Sequence, residues 1–164
     1  RLRASDDILI TTSLVEPDAI DDPSTDMNTL TVTAHGQTAA TLTEPDDIVF
    51  ADAADTNQAR FARRLRTELP HTVTINAEHK ADENHPITAA ASIVAKVTRD
   101  SHVASLEDQY GEIGSGYPND QKTTEFLVDY VKQHDELPPV ARQSWATSQN
   151  ILTRHAQNQL TDYL

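Results

Sequence analysis

Three short, β-branched apolar runs alternate along this chain with longer helix-like segments, and that alternation limits the possible folds more than any other feature. The runs are "DILITTSLVEP" (residues 7–17), "DDIVFAD" (46–52) and "HTVTINA" (71–77), each of strand length and bounded by polar or turn-forming residues. "TNQARFARRLRTEL" (56–69) spaces Phe61, Leu65 and Leu69 four apart with arginines on the other faces, which is the pattern of an amphipathic helix. "PITAAASIVAKVTRD" (86–100) opens on Pro86, where a helix needs no N–H, and sets Ile87, Ala90, Val94 and Val97 on one face. "QKTTEFLVDYVKQH" (121–134) predicts a further helix with Phe126, Leu127, Tyr130 and Val131 inward. "MNTLTVTAHGQTAATL" (27–42) reads both ways. Its threonines and valine favour a strand, while its length and the preceding Ser24, Thr25 and Asp26 favour a capped helix, which is the expectation. Residues 18–26 read as an acidic loop, and two short helical pieces are expected after Pro138–Pro139 and over 148–160. Strands alternating with helices predict an α/β domain with some parallel pairing. In such sheets the functional site lies beyond the C-terminal ends of the strands.

A chain of 164 residues suits one domain and can bury a real core. The absence of cysteine excludes disulfides and thiolate zinc sites. No apolar stretch approaches the ~18 residues of a membrane span, and the opening residues do not resemble a secretory leader, so a cytoplasmic protein is expected. The chain starts at Arg1 and its only methionine is Met27, which points to a piece of a longer product. Acidic residues number 26 against 13 basic, a formal net charge of −13. With an apolar fraction of 37% and clear periodicity, that acidity fits the solvated surface of a halophile's protein better than disorder. Residues 1–59 hold 12 acidic and 2 basic side chains, and residues 60–164 hold 14 and 11. Contact with a polyanion is therefore expected in the second part, because phosphate contacts are local.

Two carboxylates fall where an α/β site should lie. Asp52 ends the second apolar run, where its charge is costly to desolvate unless something positive meets it, and a divalent cation would suit. Asp82 stands in "EHKADENHP" (78–86), at the mouth of the Pro86 helix, where it could cap that helix or hold a metal ion. Asp55 is expected to cap the helix over 56–69. Glu78 and His79 add potential ligands, but His79 and His85 lack the spacing of a helical zinc pair, and oxygen-rich sites suit magnesium or manganese. Three of the four glycines lie in "GEIGSGYPND" (111–120), which displays Tyr117. That loop is either a plain turn or a surface on which a sugar or base can stack.

"AEHKADENHPITAAASIVAKVTRD", "YGEIGSGYPNDQKTTEFL" and "LPPVARQSW", with "VFADAADTNQARFARRL" before them, together resemble the archaeal branch of type 2 ribonuclease H, ribonuclease HII. The resemblance is close over residues 46–150 and weaker over 8–45. It implies a ribonuclease H-like mixed sheet flanked by helices, with a domain over residues 1–137 and a C-terminal helical extension over 138–164. It implies hydrolysis of the RNA strand of RNA–DNA hybrids, or of DNA containing ribonucleotides, by two-metal-ion catalysis with Mg2+ or Mn2+. Asp52 and Asp82 would be two of the four metal-holding catalytic carboxylates. Tyr117 would pack on the nucleotide beside the scissile bond, with Ser115, Gly116 and Lys80 also binding substrate. A replication sliding clamp is an expected partner, and the complete protein is expected to be a monomer. "ENHP" departs from the family's usual aromatic residue before the proline. The family's opening strand, with its Asp-Glu pair and Gly-Arg-Gly loop, has no counterpart here, so the first strands are expected to be missing and residues 1–164 alone to be inactive. A non-catalytic hybrid-binding module is the alternative.

Overall fold

The computed structural model describes residues 8–162. In chain order they form α1 (Pro17–Asp21), α2 (Met27–Ala40), β1 (Ile48–Asp52), α3 (Gln58–Thr67), β2 (Thr74–Glu78), α4 (Ala81–Asn84), α5 (Pro86–Tyr110), α6 (Gln121–His134) and α7 (Ala146–Asp162). They divide into two units. One contains Ser24–Thr98 with the described residues up to Val15. The other contains Glu16–Pro23 and the described residues from Arg99 onward.

In the first unit β1 and β2 pair in parallel, in register from Ile48 opposite Thr74 to Asp52 opposite Glu78. The connection between them is α3, as a parallel pair requires. Phe61 and Leu65, one turn apart on α3, are almost completely buried with Val32, Ala51 and Ala53, and Ile75 and Ala77 pack against them. Burial of such side chains stabilises by about 1.5–3 kcal/mol each. Helix α2 forms despite its threonines because their hydroxyls turn back onto the helix. Thr31 donates to the Met27 carbonyl at 2.7 Å and Thr38 to the Ala34 carbonyl at 3.0 Å. Asp26 caps α2 by accepting from Thr29 N at 2.9 Å. Gly36 lets α2 lie close against the end of α3, since a Cβ there would meet Glu68 Cβ at 2.2 Å.

The sequence reading needs correction at three places in the fold. Residues 8–16 carry strand-forming side chains but no regular structure, and the sheet among the described residues is two-stranded. A β-branched run becomes a strand only where a ladder partner meets it. Asp7, the first residue of that run, lies outside the described residues. The acidic stretch after it contains the single-turn helix α1, started by Pro17 at its first position. Beyond Pro138 there is one helix, α7, preceded by turns.

In the second unit α6 and α7 share a core of Leu127, Val131, Leu137 and Ile151, with Phe126 and Leu152 against it. Asp120 caps α6 by accepting from Lys122 N at 3.0 Å. Asp135 ends it in the left-handed conformation, its N–H bonded to the Val131 carbonyl at 2.9 Å. Tyr130 is only partly buried. On α5, Ile87 (68% exposed), Ile93 and Val97 lie in the open rather than against a core.

Candidate active site

Asp52 is the last residue of β1, so its carboxylate emerges at the C-terminal end of the parallel pair. After β2 the chain turns sharply at Lys80, which takes a left-handed conformation with φ 58°. For a residue with a side chain that costs about 1–2 kcal/mol. Two bonds close the turn, Glu83 N to the Lys80 carbonyl at 2.9 Å and His85 N to the Ala81 carbonyl at 2.8 Å. Ala81 is fully buried beneath it, and its N–H points at Asp52 Oδ1 across 3.4 Å. Asp82 follows in the first turn of α4, half-buried. The two carboxylates predicted from the sequence thus come from separate elements, Asp52 from the end of β1 and Asp82 from the first turn of α4, and the Ala81 N–H beside Asp82 is the contact that links them. Lys80, the third predicted residue here, carries its ammonium on Glu83 at 2.9 Å in an exposed pair. Such pairs are weakly held.

The surrounding groups fix this corner. Ala53 N donates to the Glu78 carbonyl at 2.9 Å, and His79 Nδ1 lies 3.2 Å from the Ala53 carbonyl. Glu78, opposite Asp52 in the register, is drawn aside. His85 Nε2 lies 2.5 Å from Glu78 Oε1, and Asn84 Nδ2 donates to Oε2 at 3.1 Å. The His85 bond, then that of Asn84, holds the Glu78 carboxyl below its ordinary range. The His85 ring also packs on Phe50, with centroids 4.4 Å apart. The one ring thus contacts both Phe50 and Glu78. Asp55 departs from the sequence expectation. It is not the cap of α3; that is Asn57, which accepts from Arg60 N at 2.9 Å. Asp55 is instead buried and paired with Arg60.

Asp52 and Asp82 offer hard oxygen donors of the kind that Mg2+ or Mn2+ takes. Among the described residues, however, no group of three or more His, Asp or Glu is arranged to hold a metal ion. The donor chemistry suits such an ion while the number of donors falls short of a pair.

Ser115, Gly116 and Tyr117 belong to the second unit, on the loop between α5 and α6. Ser115 N donates to Asp120 Oδ2 at 2.6 Å and Gly116 N to Thr123 Oγ1 at 3.0 Å. Thr123 Oγ1 in turn donates to the Ile113 carbonyl at 2.9 Å. Gly114, at φ 71°, closes the loop where a Cβ would strike Lys122 Cβ and Thr123 N, both at 2.8 Å. The loop is thus held at several points while Tyr117 stays 53% exposed. The Arg99 guanidinium lies over that ring. Reading the sequence did not single out Arg99, since nothing in its spacing from Tyr117 signals a contact. Among the described residues no helix is long and apolar enough to cross a membrane.

Comparison with known proteins gives a consistent result. The family model for ribonuclease HII matches residues 7–148. The ribonuclease HII of Halobacterium salinarum is 44% identical over 164 residues, covering 99% of this chain and 76% of the relative. That of Haloarcula marismortui is 44% identical over 149 residues, covering 91% and 71%. Among solved structures, the ribonuclease H2 of Pyrococcus horikoshii superposes with a TM-score of 0.81 at 40% identity, over 89% of this chain and 69% of the other. The ribonuclease HII of Archaeoglobus fulgidus, solved in complex with PCNA, gives a TM-score of 0.70 at 31% identity, over 84% and 65%.

Proposed function

The chain belongs to the ribonuclease HII family, and from that membership we propose that it is the hybrid-handling part of a type 2 ribonuclease H. The reaction is hydrolysis of the RNA strand in RNA–DNA hybrids, and at ribonucleotides within DNA. Asp52 and Asp82 are the proposed holders of divalent ions, Mg2+ or Mn2+. The chemistry such ions supply is activation of the attacking water and stabilisation of the leaving oxygen. The observation that carries the reading is the Ala81 N–H directed at Asp52 Oδ1, one residue before Asp82. That contact ties the Asp52 carboxylate to the start of the short helix that carries Asp82. Lys80 can exchange its surface pair with Glu83 for a phosphate, and Tyr117 presents an exposed ring to a sugar.

Two carboxylates are fewer than a pair of metal ions needs. We therefore propose that residues 1–164 by themselves bind a hybrid without cutting it, the behaviour of a binding module. Calorimetry with Mn2+ tests the site. One weak ion is expected for the unaltered chain, and Asp52→Asn or Asp82→Asn should weaken it at least about tenfold with the circular dichroism unchanged. Equal Mn2+ affinity in both variants would remove these residues from the site, and metal-dependent cleavage by residues 1–164 would refute the shortfall. A sliding clamp is the proposed protein partner, by extension from the Archaeoglobus fulgidus neighbour. Co-elution of chain and clamp on gel filtration is the expected outcome, and separate elution at micromolar concentrations would count against it. The net charge of −13 is read as an adaptation to high salt.

A further inference from the structure

If this chain handles an RNA–DNA hybrid, as proposed above, Arg99 has a place in holding it. The Arg99 guanidinium carbon lies 3.8 Å from the centroid of the Tyr117 ring. A guanidinium pointing an N–H at the ring would hold its carbon farther away, so at this distance the two planes are stacked. Two consequences follow. One face of Tyr117 is covered by Arg99, and with the residue still 53% exposed a ligand stacking on the ring would take the other face. The N–H donors of Arg99 also radiate in their own plane, past the edge of the ring, rather than into it.

A guanidinium carries five N–H donors. One, on Nη1, goes to the Asp100 carboxylate. Asp100 is 64% exposed, and a pair of that kind is held weakly enough for another anion to take its place. The ring itself is well supported. Tyr117 follows Gly116, whose left-handed backbone (φ 75°) lies against Val103 of α5 and whose N–H is bonded to Thr123 of α6. The stacked pair therefore sits on two helices through a fixed loop. It presents a tyrosine that stays 53% exposed beside a guanidinium stacked on its ring.

We propose that Arg99 and Tyr117 form one platform for a nucleic-acid strand. A sugar packs on the open face of Tyr117, and Arg99 donates from the edge to the phosphodiester joined to that sugar. Sugar and phosphate are neighbours in a strand, so a strand seated on the ring brings a phosphate to the ring's edge. A basic side chain stacked on an exposed ring in a chain of net charge −13 is suited to a local anion contact. Arg99 is thus assigned as a phosphate-binding residue that also fixes which face of Tyr117 is available.

The test measures binding of a fluorescent RNA–DNA hybrid to the full chain in EDTA, over the salt range in which circular dichroism reports folded protein. Each phosphate contact contributes about 0.9 to the slope of log affinity against log salt. Arg99→Gln should flatten the slope by about that amount, whereas Arg99→Lys should keep it. Tyr117→Ala should lower affinity roughly 5- to 100-fold with its slope unchanged. Asp100→Asn, which frees the Nη1 donor, should tighten binding. An unchanged slope in folded Arg99→Gln, while the unaltered chain binds, would overturn the platform and leave the family reading intact. Absence of any hybrid binding by the folded, unaltered chain would overturn both the platform and the proposal that this chain binds a hybrid.

Discussion

Asp55 lies three residues beyond Asp52 in "ADAAD", yet only 2% of it is exposed and both of its oxygens are taken. Oδ1 accepts from Asn57 N at 3.0 Å and Arg60 Nη2 at 2.5 Å, and Oδ2 accepts from Arg60 Nε at 2.7 Å. The Arg60 bonds, then the Asn57 N–H, hold its carboxyl far below the usual carboxylate range, and burial only partly opposes them. A folded-state value depressed in this way stabilises the fold at pH above the unfolded value of 3.8 and loses that contribution as pH falls toward the folded one. Asp55→Asn should therefore lower the melting temperature by several degrees at neutral pH, because it leaves Arg60 with a weaker partner over a buried site. The gap from the unaltered chain should narrow as pH drops below 3.8. Thermal scans across that window check it, and a gap that stays constant down to the acid limit would contradict the assignment. Asp52 is exposed, and its carboxylate is approached by the Ala81 N–H at 3.4 Å, so it is open to a ligand in a way that the buried Asp55 is not.

The elements legible in the sequence were those whose determinants are local. Helix α3 shows itself because Phe61 and Leu65 recur at a one-turn spacing and are the residues that the core buries. Helix α6 runs over the residues its pattern marks, because Asp120 before it and Asp135 after it supply both ends. Distant partners decided the rest. Residues 8–16 have strand composition, but composition cannot say whether a neighbouring strand is there to pair with. Gln143 and Ser144 stay out of a helix because their N–H groups bond to Asp21, at 2.5 and 3.2 Å, from more than a hundred residues away. The candidate site divides in the same manner. Asp52 at a strand end and Asp82 at a helix mouth are local features and could be marked in advance. The capture of Glu78 by His85 depends on the turn at Lys80, and the stacking of Arg99 on Tyr117 depends on how the loop folds back onto α5. Neither leaves a periodic trace in the sequence.

Taken as a molecule, the chain is acidic overall but carries its cations late, with 11 of 13 basic residues after residue 59. A net charge of −13 raises the cost of approaching a polyanion, so affinity must come from local groups such as Lys80 and Arg99 rather than from a general field. The central claim is that Asp52 and Asp82 are working carboxylates of a ribonuclease H, in a chain where no group of three or more His, Asp or Glu is arranged to hold a metal ion among the described residues. The measurement that tests it most directly uses a chimera of residues 1–164 with the part of the Halobacterium salinarum relative that lies outside the match. The readout is cleavage of an RNA–DNA hybrid in high salt with Mg2+ or Mn2+. Metal-dependent cutting of the RNA strand is expected, with a loss of at least roughly 100-fold in Asp52→Asn and in Asp82→Asn while the fold is retained. Cutting within about tenfold of the unaltered chimera in either variant would contradict the claim.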